Sequence, residues 1–248
     1  MSESNFLLDY EKLSWLGDEL RATYQANTPF PHIVIDQFLP EYSLQRLQKE
    51  YPTDQSLPAW NEASYKDKVS GEFVQKNKRN IRDIIQMPPA YRQIIWELNS
   101  APFLGFLSRL ISIDNLIPDP NLRGAGIHQT GHDGYLKVHV DFTYHRDFGL
   151  DRRTNFLLYL NDEWNPDWGG QLELWDPEMK GPPKCVMPIA NRCVIFTTTA
   201  SSYHGHPRPL CGPPEVFRKS LALYYYTNGR PEGEAEPVFS TDWKDVPY

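Results

Sequence analysis

The residues with most chemical meaning in this chain are His139 and Asp141, separated by Val140, then His204 and, further on, Arg218. Two imidazoles and one carboxylate can hold one face of an Fe(II) ion and leave three coordination positions open, an arrangement suited to oxygen chemistry. An arginine downstream can grip the far carboxylate of an organic acid chelated to that ion, because its planar fork matches a carboxylate. Strand geometry favours the first pair. Leu136, Val138, Val140 and Phe142 alternate with Lys137, His139 and Asp141, so His139 and Asp141 share a face about 7 Å apart along the chain. A second triplet, His145-Arg146-Asp147, sits in YHRDFGLDRR, where charges replace the alternation, and reads as a solvated loop. In SSYHGHPRP, His204 and His206 both follow the apolar run CVIFTT, and both have the chemistry of a third ligand. In RKSLALYYYT, Arg218 and Ser220 share a strand face with Ala222 and Tyr224. A guanidinium turned into a barrel interior is costly unless an anion accepts it. The competing reading is a surface arginine beside Lys219.

The elements that must position these residues change character along the chain. Residues 5–24 carry Leu7, Leu8, Leu13, Leu16 and Leu20 at three- and four-residue spacings, the pattern of an amphipathic helix. PHIVIDQFL reads as a strand and Glu41–Glu50 as a helix entered at Pro40. Residues 52–80 are polar and irregular, and the basic stretch KNKRNIR at 76–82 reads as a solvated face. Helices follow over Pro89–Asn99 and Phe103–Ile111, and PDPN at 118–121 reads as a turn. From there six short β-like runs succeed one another: GAGIHQT, YLKVHVDF, TNFLLYL, GQLELWD, CVIFTT and SLALYYYT. Strands at this spacing, with no helical period between them, predict an antiparallel sandwich or barrel, with the N-terminal helices packed on one sheet. The expected organisation is a helical or mixed support region at 1–122, a β core at 123–230 and a tail at 231–248, forming one integrated domain.

The 248 residues, 40% hydrophobic, suffice for one sizeable core. Twenty-two prolines and fifteen glycines favour strands and turns over a helical bundle. A net charge of -7 gives no reason to expect nucleic-acid binding, and an anionic ligand must be caught locally. No apolar run is long enough for a membrane span and no secretory signal is evident, so no membrane partner is expected. Cys185, Cys193 and Cys211 form no CxxC pair; a reduced, cytoplasmic setting is the simplest account, with Cys193 a core residue.

Together these residues resemble the Fe(II)/2-oxoglutarate-dependent oxygenases, in their prolyl-4-hydroxylase-like branch. The resemblance spans roughly residues 123–228 and rests on LKVHVDF, NFLLYLNDEW, GGQLELWD, CVIFTTTASSYHGHP and RKSLALYYY in that order. It implies a mainly β protein with a double-stranded β-helix core of jelly-roll or cupin-like form. It implies His139, Asp141 and His204 as metal ligands, SYH matching the family's distal position. Arg218 matches the residue that pairs with the far carboxylate of 2-oxoglutarate, and Ser220 its frequent helper. Tyr159 in LLYLN falls where related enzymes place a tyrosine on the same carboxylate, and His128 where the branch often has a cosubstrate or substrate contact. The implied cofactors are Fe(II), 2-oxoglutarate and O2, with ascorbate in support.

The implied reaction couples decarboxylation of 2-oxoglutarate to succinate with hydroxylation of an unactivated C–H bond; desaturation and ring formation share its chemistry. The substrate implied by the branch is a prolyl or other protein residue, and a free amino acid, glycan or secondary metabolite is the alternative. Related halogenases have Gly or Ala in place of Asp141, which speaks against halogenation. The stretch GHPRPLCGPPEVF between His204 and Arg218 is longer than in compact prolyl hydroxylases and reads as a loop near the mouth of the barrel. The reading from another class is a non-enzymatic cupin-like barrel that binds a metal or sugar. Such a barrel does not require Arg218-x-Ser220.

Overall fold

The computed structural model describes residues 5–54, 57, 59–231, 233–234 and 240–246. The chain opens with α1 (Tyr10–Ala26), capped by Asp9, whose carboxylate accepts from the amide of Lys12. A short strand β1 (His32–Ile35) and α2 (Glu41–Lys49) follow. Then come β2 (Asn61–Glu62), β3 (Tyr65–Lys66) and the nine-residue β4 (Phe73–Ile81). Helices α3 (Pro89–Leu98) and α4 (Ala101–Ile111) lead into β5 (Ile117–Pro118), the long β6 (Gly126–Val140), β7 (Tyr144–His145) and β8 (Leu150–Tyr159). The remaining strands are β9 (Leu172–Trp175), β10 (Lys184–Val186), β11 (Cys193–Thr197), β12 (Tyr203–His206), β13 (Arg218–Thr227) and β14 (Asp242–Lys244).

The strands pair in the order β1-β11-β8-β13-β6-β12-β9-β10, every pairing antiparallel. The two runs GAGIHQT and YLKVHVDF are one strand, β6. Its first part, Gly126–Thr130, pairs with β13, and its last turn of residues, Leu136–His139, pairs with β12. A strand that belongs to both halves in this way folds the sheet back on itself, which is the double-stranded β-helix expected of the sequence. Strands outside the core also join: β4 pairs along β6 from Ile127 to Leu136, and β14 continues the same edge from Val138 to Val140.

The helices cover the face of β1, β11, β8 and β13. Phe103 of α4 packs edge-on against Phe156 at 5.6 Å and lies 5.9 Å from Tyr225. Tyr24 of α1 bonds Thr197 at 2.7 Å, and the Tyr225 hydroxyl donates to the carbonyl of Leu98. Helix α1 lies close on α4 because residue 17 is glycine: a Cβ there would stand 2.7 Å from the carbonyl oxygen of Phe106. The result is one apolar core between helices and sheet, whose burial supplies most of the driving force for folding.

Three expectations need correction. Residues 52–80 are not uniformly irregular, since they contain β2, β3 and most of β4. The stretch at 76–82 is largely a sheet strand hydrogen-bonded to β6, solvated on one side only, with Lys78 and Asn80 lining a cavity. The second triplet is not a solvated loop as a whole: His145 is fully buried against Phe148 and Tyr226, while Asp147 is exposed and pairs with Arg123. All three cysteines are free, with Cys193 buried in the core. No helix among the described residues is long and apolar enough to cross a membrane.

Candidate active site

His139, next to last in β6, lies directly across from His204 of β12, so the antiparallel register itself brings the two imidazoles together. Their ring centroids are 4.5 Å apart. Asp141 follows two residues after His139, and its Oδ1 stands 3.6 Å from His139 Nε2 while its Oδ2 stands 3.4 Å from His204 Nε2. The ligating atoms of all three lie within 4.8 Å of one another. Two ligands at right angles, each about 2.1 Å from an ion, stand about 3 Å apart, so the cluster is slightly wider than a closed metal site. The tautomers suit a metal. Each histidine donates its Nδ1 proton to the carbonyl two residues earlier, His139 to Lys137 and His204 to Ser202, both at 2.9 Å. That leaves Nε2 with its lone pair facing the cluster. Burial pushes His139 below the usual histidine range and favours the neutral, ligating form.

The carboxylate of Asp141 is held from behind. Its Oδ2 accepts from Arg152 Nη2 at 2.7 Å and from Asn155 Nδ2 at 2.8 Å. Both partners come from β8, and Arg152 Nε also donates to Asn155 Oδ1 at 2.9 Å. The guanidinium is fully buried, lying 3.4 Å over the ring of Tyr224 and 4.9 Å from that of Phe142. Burial alone raises the Asp141 carboxyl, but Arg152, then His204 and His139, outweigh it and hold the group well below the usual carboxylate range. With Oδ2 committed to two donors, Oδ1 is the oxygen left to bind an ion.

Arg218 opens β13 and is 7% exposed, which removes the surface reading of this residue. Its Nε donates to the carbonyl of Gly170 at 2.8 Å and its Nη2 to the hydroxyl of Tyr159 at 3.0 Å. Gly170 has φ +74, and a Cβ there would meet Leu210 at 2.6 Å and the Arg218 side chain at 3.3 Å. Glycine is therefore what lets this backbone cradle the arginine. Among the described residues, no carboxylate pairs with Arg218.

Triad and arginine line one cavity of about 220 Å³. His128 and Ser220 line it as well, whereas Tyr159 reaches it through Arg218. His206 also lines it but lies outside the triad: the bulge between His204 and His206 sets the latter opposite Leu136. Both ring nitrogens of His206 and Nε2 of His128 are buried without a hydrogen-bond partner. Burial, reinforced by the nearby Arg218 and Lys78, pushes both rings well below the usual range, so both are neutral. Lys78 of β4 reaches the same cavity, where burial and Arg218 push its amine down to about 8 and Asp141 opposes them. Trp243 of β14 lies beside His139, its ring 5.0 Å away, and forms part of the wall. Trp164, Trp168 and Trp175 do not line the cavity; the first two pack on each other at 5.7 Å.

Residues 125–226 match the family model of the 2OG-Fe(II) oxygenase superfamily, a span that contains the triad and Arg218. Over that span the chain is similar to the 2OG-Fe(II) oxygenases. Among curated relatives, the prolyl 3-hydroxylase OGFOD1 of Mus musculus is 28% identical over 203 residues, covering 80% of this chain and 33% of its own. The chain thus spans about a third of the length of the curated relatives it matches. A prolyl hydroxylase from Trichoplax adhaerens, solved with a peptide fragment of a hypoxia inducible factor oxygen degradation domain, superposes with a TM-score of 0.59 at 17% identity, over 87% of this chain and 91% of that one. A prolyl-4-hydroxylase from Pseudomonas putida gives 0.57 at 17% identity, over 84% and 98%. At these identities the structural likeness speaks for the fold, a prolyl-hydroxylase-like double-stranded β-helix.

Sequence reasoning missed four residues of this site. Arg152 and Asn155 hold Asp141 from another strand, in a run (DRRTN) whose charges look like surface. Lys78 comes from a strand that the sequence reads as solvated, outside the superfamily match. Trp243 arrives from the C-terminal strand.

Proposed function

We propose that this protein is an Fe(II)- and 2-oxoglutarate-dependent dioxygenase that hydroxylates an unactivated C–H bond of a protein residue, with prolyl as the first candidate. The observation that carries the reading is the pairing of a facial His-Asp-His cluster with a buried, carboxylate-free arginine across one cavity. A plain metal-binding barrel has no use for that arginine, whose burial is costly without an anion. Support for a prolyl substrate comes from the relatives, which carry prolyl hydroxylase names.

His139, Asp141 and His204 are the proposed iron ligands, and Arg218 with Tyr159 and Ser220 the proposed grip on the far carboxylate of 2-oxoglutarate. Bound Fe(II) with 2-oxoglutarate supplies O2 activation, ending in succinate, CO2 and a hydroxylated product. The protein's part is positional. Arg152 and Asn155 aim Asp141. The Tyr159 hydroxyl accepts from Arg218 and so keeps its own proton free for a carboxylate, burial having raised its pKa against the pull of Arg218. Leu157, Leu172, Phe196 and Phe142 line the cavity and limit water around the reacting groups. Residues 123–230 supply the proposed iron ligands and cosubstrate grip, with Lys78 of β4 and Trp243 of β14 completing the cavity from outside that span; the free cysteines suit a reducing compartment such as the cytoplasm.

The test is anaerobic titration of metal-free protein with Fe(II), then 2-oxoglutarate, followed by visible absorption. Bidentate binding gives a weak charge-transfer band, and Arg218→Ala weakens or abolishes it. No band at saturating iron and keto acid sinks the oxygenase reading. For the substrate, a proline-containing protein target should gain one oxygen atom by mass spectrometry only when both cofactors are present.

A further inference from the structure

We propose that Lys78 is a second cationic anchor for the far carboxylate of the keto-acid cosubstrate, reaching the Arg218 subsite from β4. The inference rests on the reading that 2-oxoglutarate is that cosubstrate.

Register places the two cations in one row. Arg218 of β13 lies opposite Thr130 of β6, and Thr130 lies opposite Lys78 of β4. The next row is Ser220, His128 and Asn80. Residues directly opposite on neighbouring strands project to the same face, and of these six all but Thr130 line the cavity. Strands spaced about 4.8 Å apart put the Arg218 and Lys78 backbones roughly 10 Å from each other, within reach of two long side chains meeting on one small ligand. A break in register at Asn77, which has φ 49 and donates to the carbonyl of His132, lies between Lys76 and Lys78. Bulges of this kind re-aim a side chain, and here the re-aimed group is Lys78.

Charge points to an anion at this spot. Neither Arg218 nor Lys78 has a carboxylate partner among the described residues, and Asp141, the carboxylate whose charge acts on Lys78, is committed to Arg152. Two cations facing one cavity repel; burial first, and then Arg218, push the Lys78 amine down. A carboxylate between them removes that repulsion and satisfies both. His206 adds an independent sign of a missing ligand: it is 3% exposed, lines the same cavity and leaves both ring nitrogens unpartnered.

The experiment loads the protein with Mn(II) and measures binding of two acids by isothermal titration. One is 2-oxoglutarate; the other is 2-oxopentanoate, which keeps the chelating end and lacks the far carboxylate. Lys78→Met should weaken 2-oxoglutarate binding by about ten- to a hundredfold, the range of a charge-assisted hydrogen bond, and leave 2-oxopentanoate unchanged. Lys78→Arg should restore most of the loss. Unchanged 2-oxoglutarate binding in Lys78→Met overturns the proposal, and so does an equal loss for both acids, which would place Lys78 at the metal end or in a purely structural role. Mn(II) affinity and circular dichroism of each variant check the fold. Failure of the wild type to bind 2-oxoglutarate is a separate outcome, which removes the cosubstrate reading itself.

Discussion

Replacing Arg152 by methionine keeps a long apolar stem between the rings of Tyr224 and Phe142 but deletes the guanidinium that bonds Asp141 and Asn155. Asp141 then keeps Asn155 as its one hydrogen-bond donor on Oδ2 among the described residues. Removing one partner of a buried ion pair costs about 3–5 kcal/mol, because the other charge is left in a poor solvent. Metal-free Arg152→Met should therefore unfold in urea with that much less stability than wild type at neutral pH. Saturating Mn(II) should narrow the difference, since a divalent ion on the triad supplies the missing positive charge and binds only the folded form. The pH dependence has a definite sign. In the wild type the folded pKa of Asp141 is depressed, so its stabilisation is fully present above the unfolded value of about 4 and fades as pH falls through the depressed value. In the variant, burial dominates and raises the folded pKa, so the penalty is greatest at neutral pH and shrinks as acid protonates the carboxyl. The gap between the two proteins should thus close from pH 7 towards pH 4. Equal urea midpoints without metal at neutral pH would refute the argument, and so would a gap that neither Mn(II) nor acid alters.

Three further outcomes follow from the same geometry. Gly170→Ala puts a Cβ at positive φ against Leu210 and Arg218; it should cost about 1–3 kcal/mol in thermal or urea unfolding and weaken 2-oxoglutarate binding while Mn(II) affinity stays put. Tyr159→Phe removes the hydroxyl that Arg218 donates to, and titration should show 2-oxoglutarate binding about tenfold weaker. The affinity of the Mn(II) protein for 2-oxoglutarate should fall as pH rises through about 8, where Lys78 loses its charge, and Lys78→Met should flatten that profile. Of the other groups around Lys78, Asp141 stays ionised, and His128, His139 and His206, pushed down by burial, are already neutral. A profile in Lys78→Met identical to wild type would count against this.

The apolar periods told most of the fold. Alternation around Val138 and Val140 marks β6, and the same period puts His139 on the face that meets His204. The helices α3 and α4 bury apolar faces, so their sequence periods show them directly. What stayed hidden is polar on both faces. β4 carries Lys76, Lys78, Arg79 and Asn80 in succession because one side of the strand faces a cavity and the other solvent, and no hydrophobic alternation survives. Arg152 was obscure for a related reason: its partner is a carboxylate on another strand, and sequence alone does not distinguish an arginine buried on a carboxylate from one in water. His204 and His206 could not be separated by type or spacing; the register with His139 separates them.

The distribution of charge also explains why one cavity would bind a keto diacid in a single direction. At the triad end, the one carboxylate is already paired with Arg152, so that end offers two imidazole Nε2 atoms and a held oxygen, a surface made for a cation. At the other end, Arg218 and Lys78 offer positive charge without a protein anion, a surface made for a carboxylate. Leu157, Leu172, Phe196 and Ala222 line the space with apolar surface that suits methylene groups. On the proposed reading, the end of 2-oxoglutarate that chelates goes to the metal, because a carboxylate beside a keto oxygen closes a five-membered chelate ring that a plain carboxylate cannot. The plain carboxylate is then left for the cations. A diacid entering the other way round would lose the chelate at one end without gaining charge at the other. Orientation of this kind comes from β6, which carries His128 and Thr130 in the cation rows and His139 at the metal in one continuous strand paired to β13, β4 and β12. A change that slips β6 by one residue against either neighbour would turn these side chains to the opposite face, and both ends of the site would be lost together.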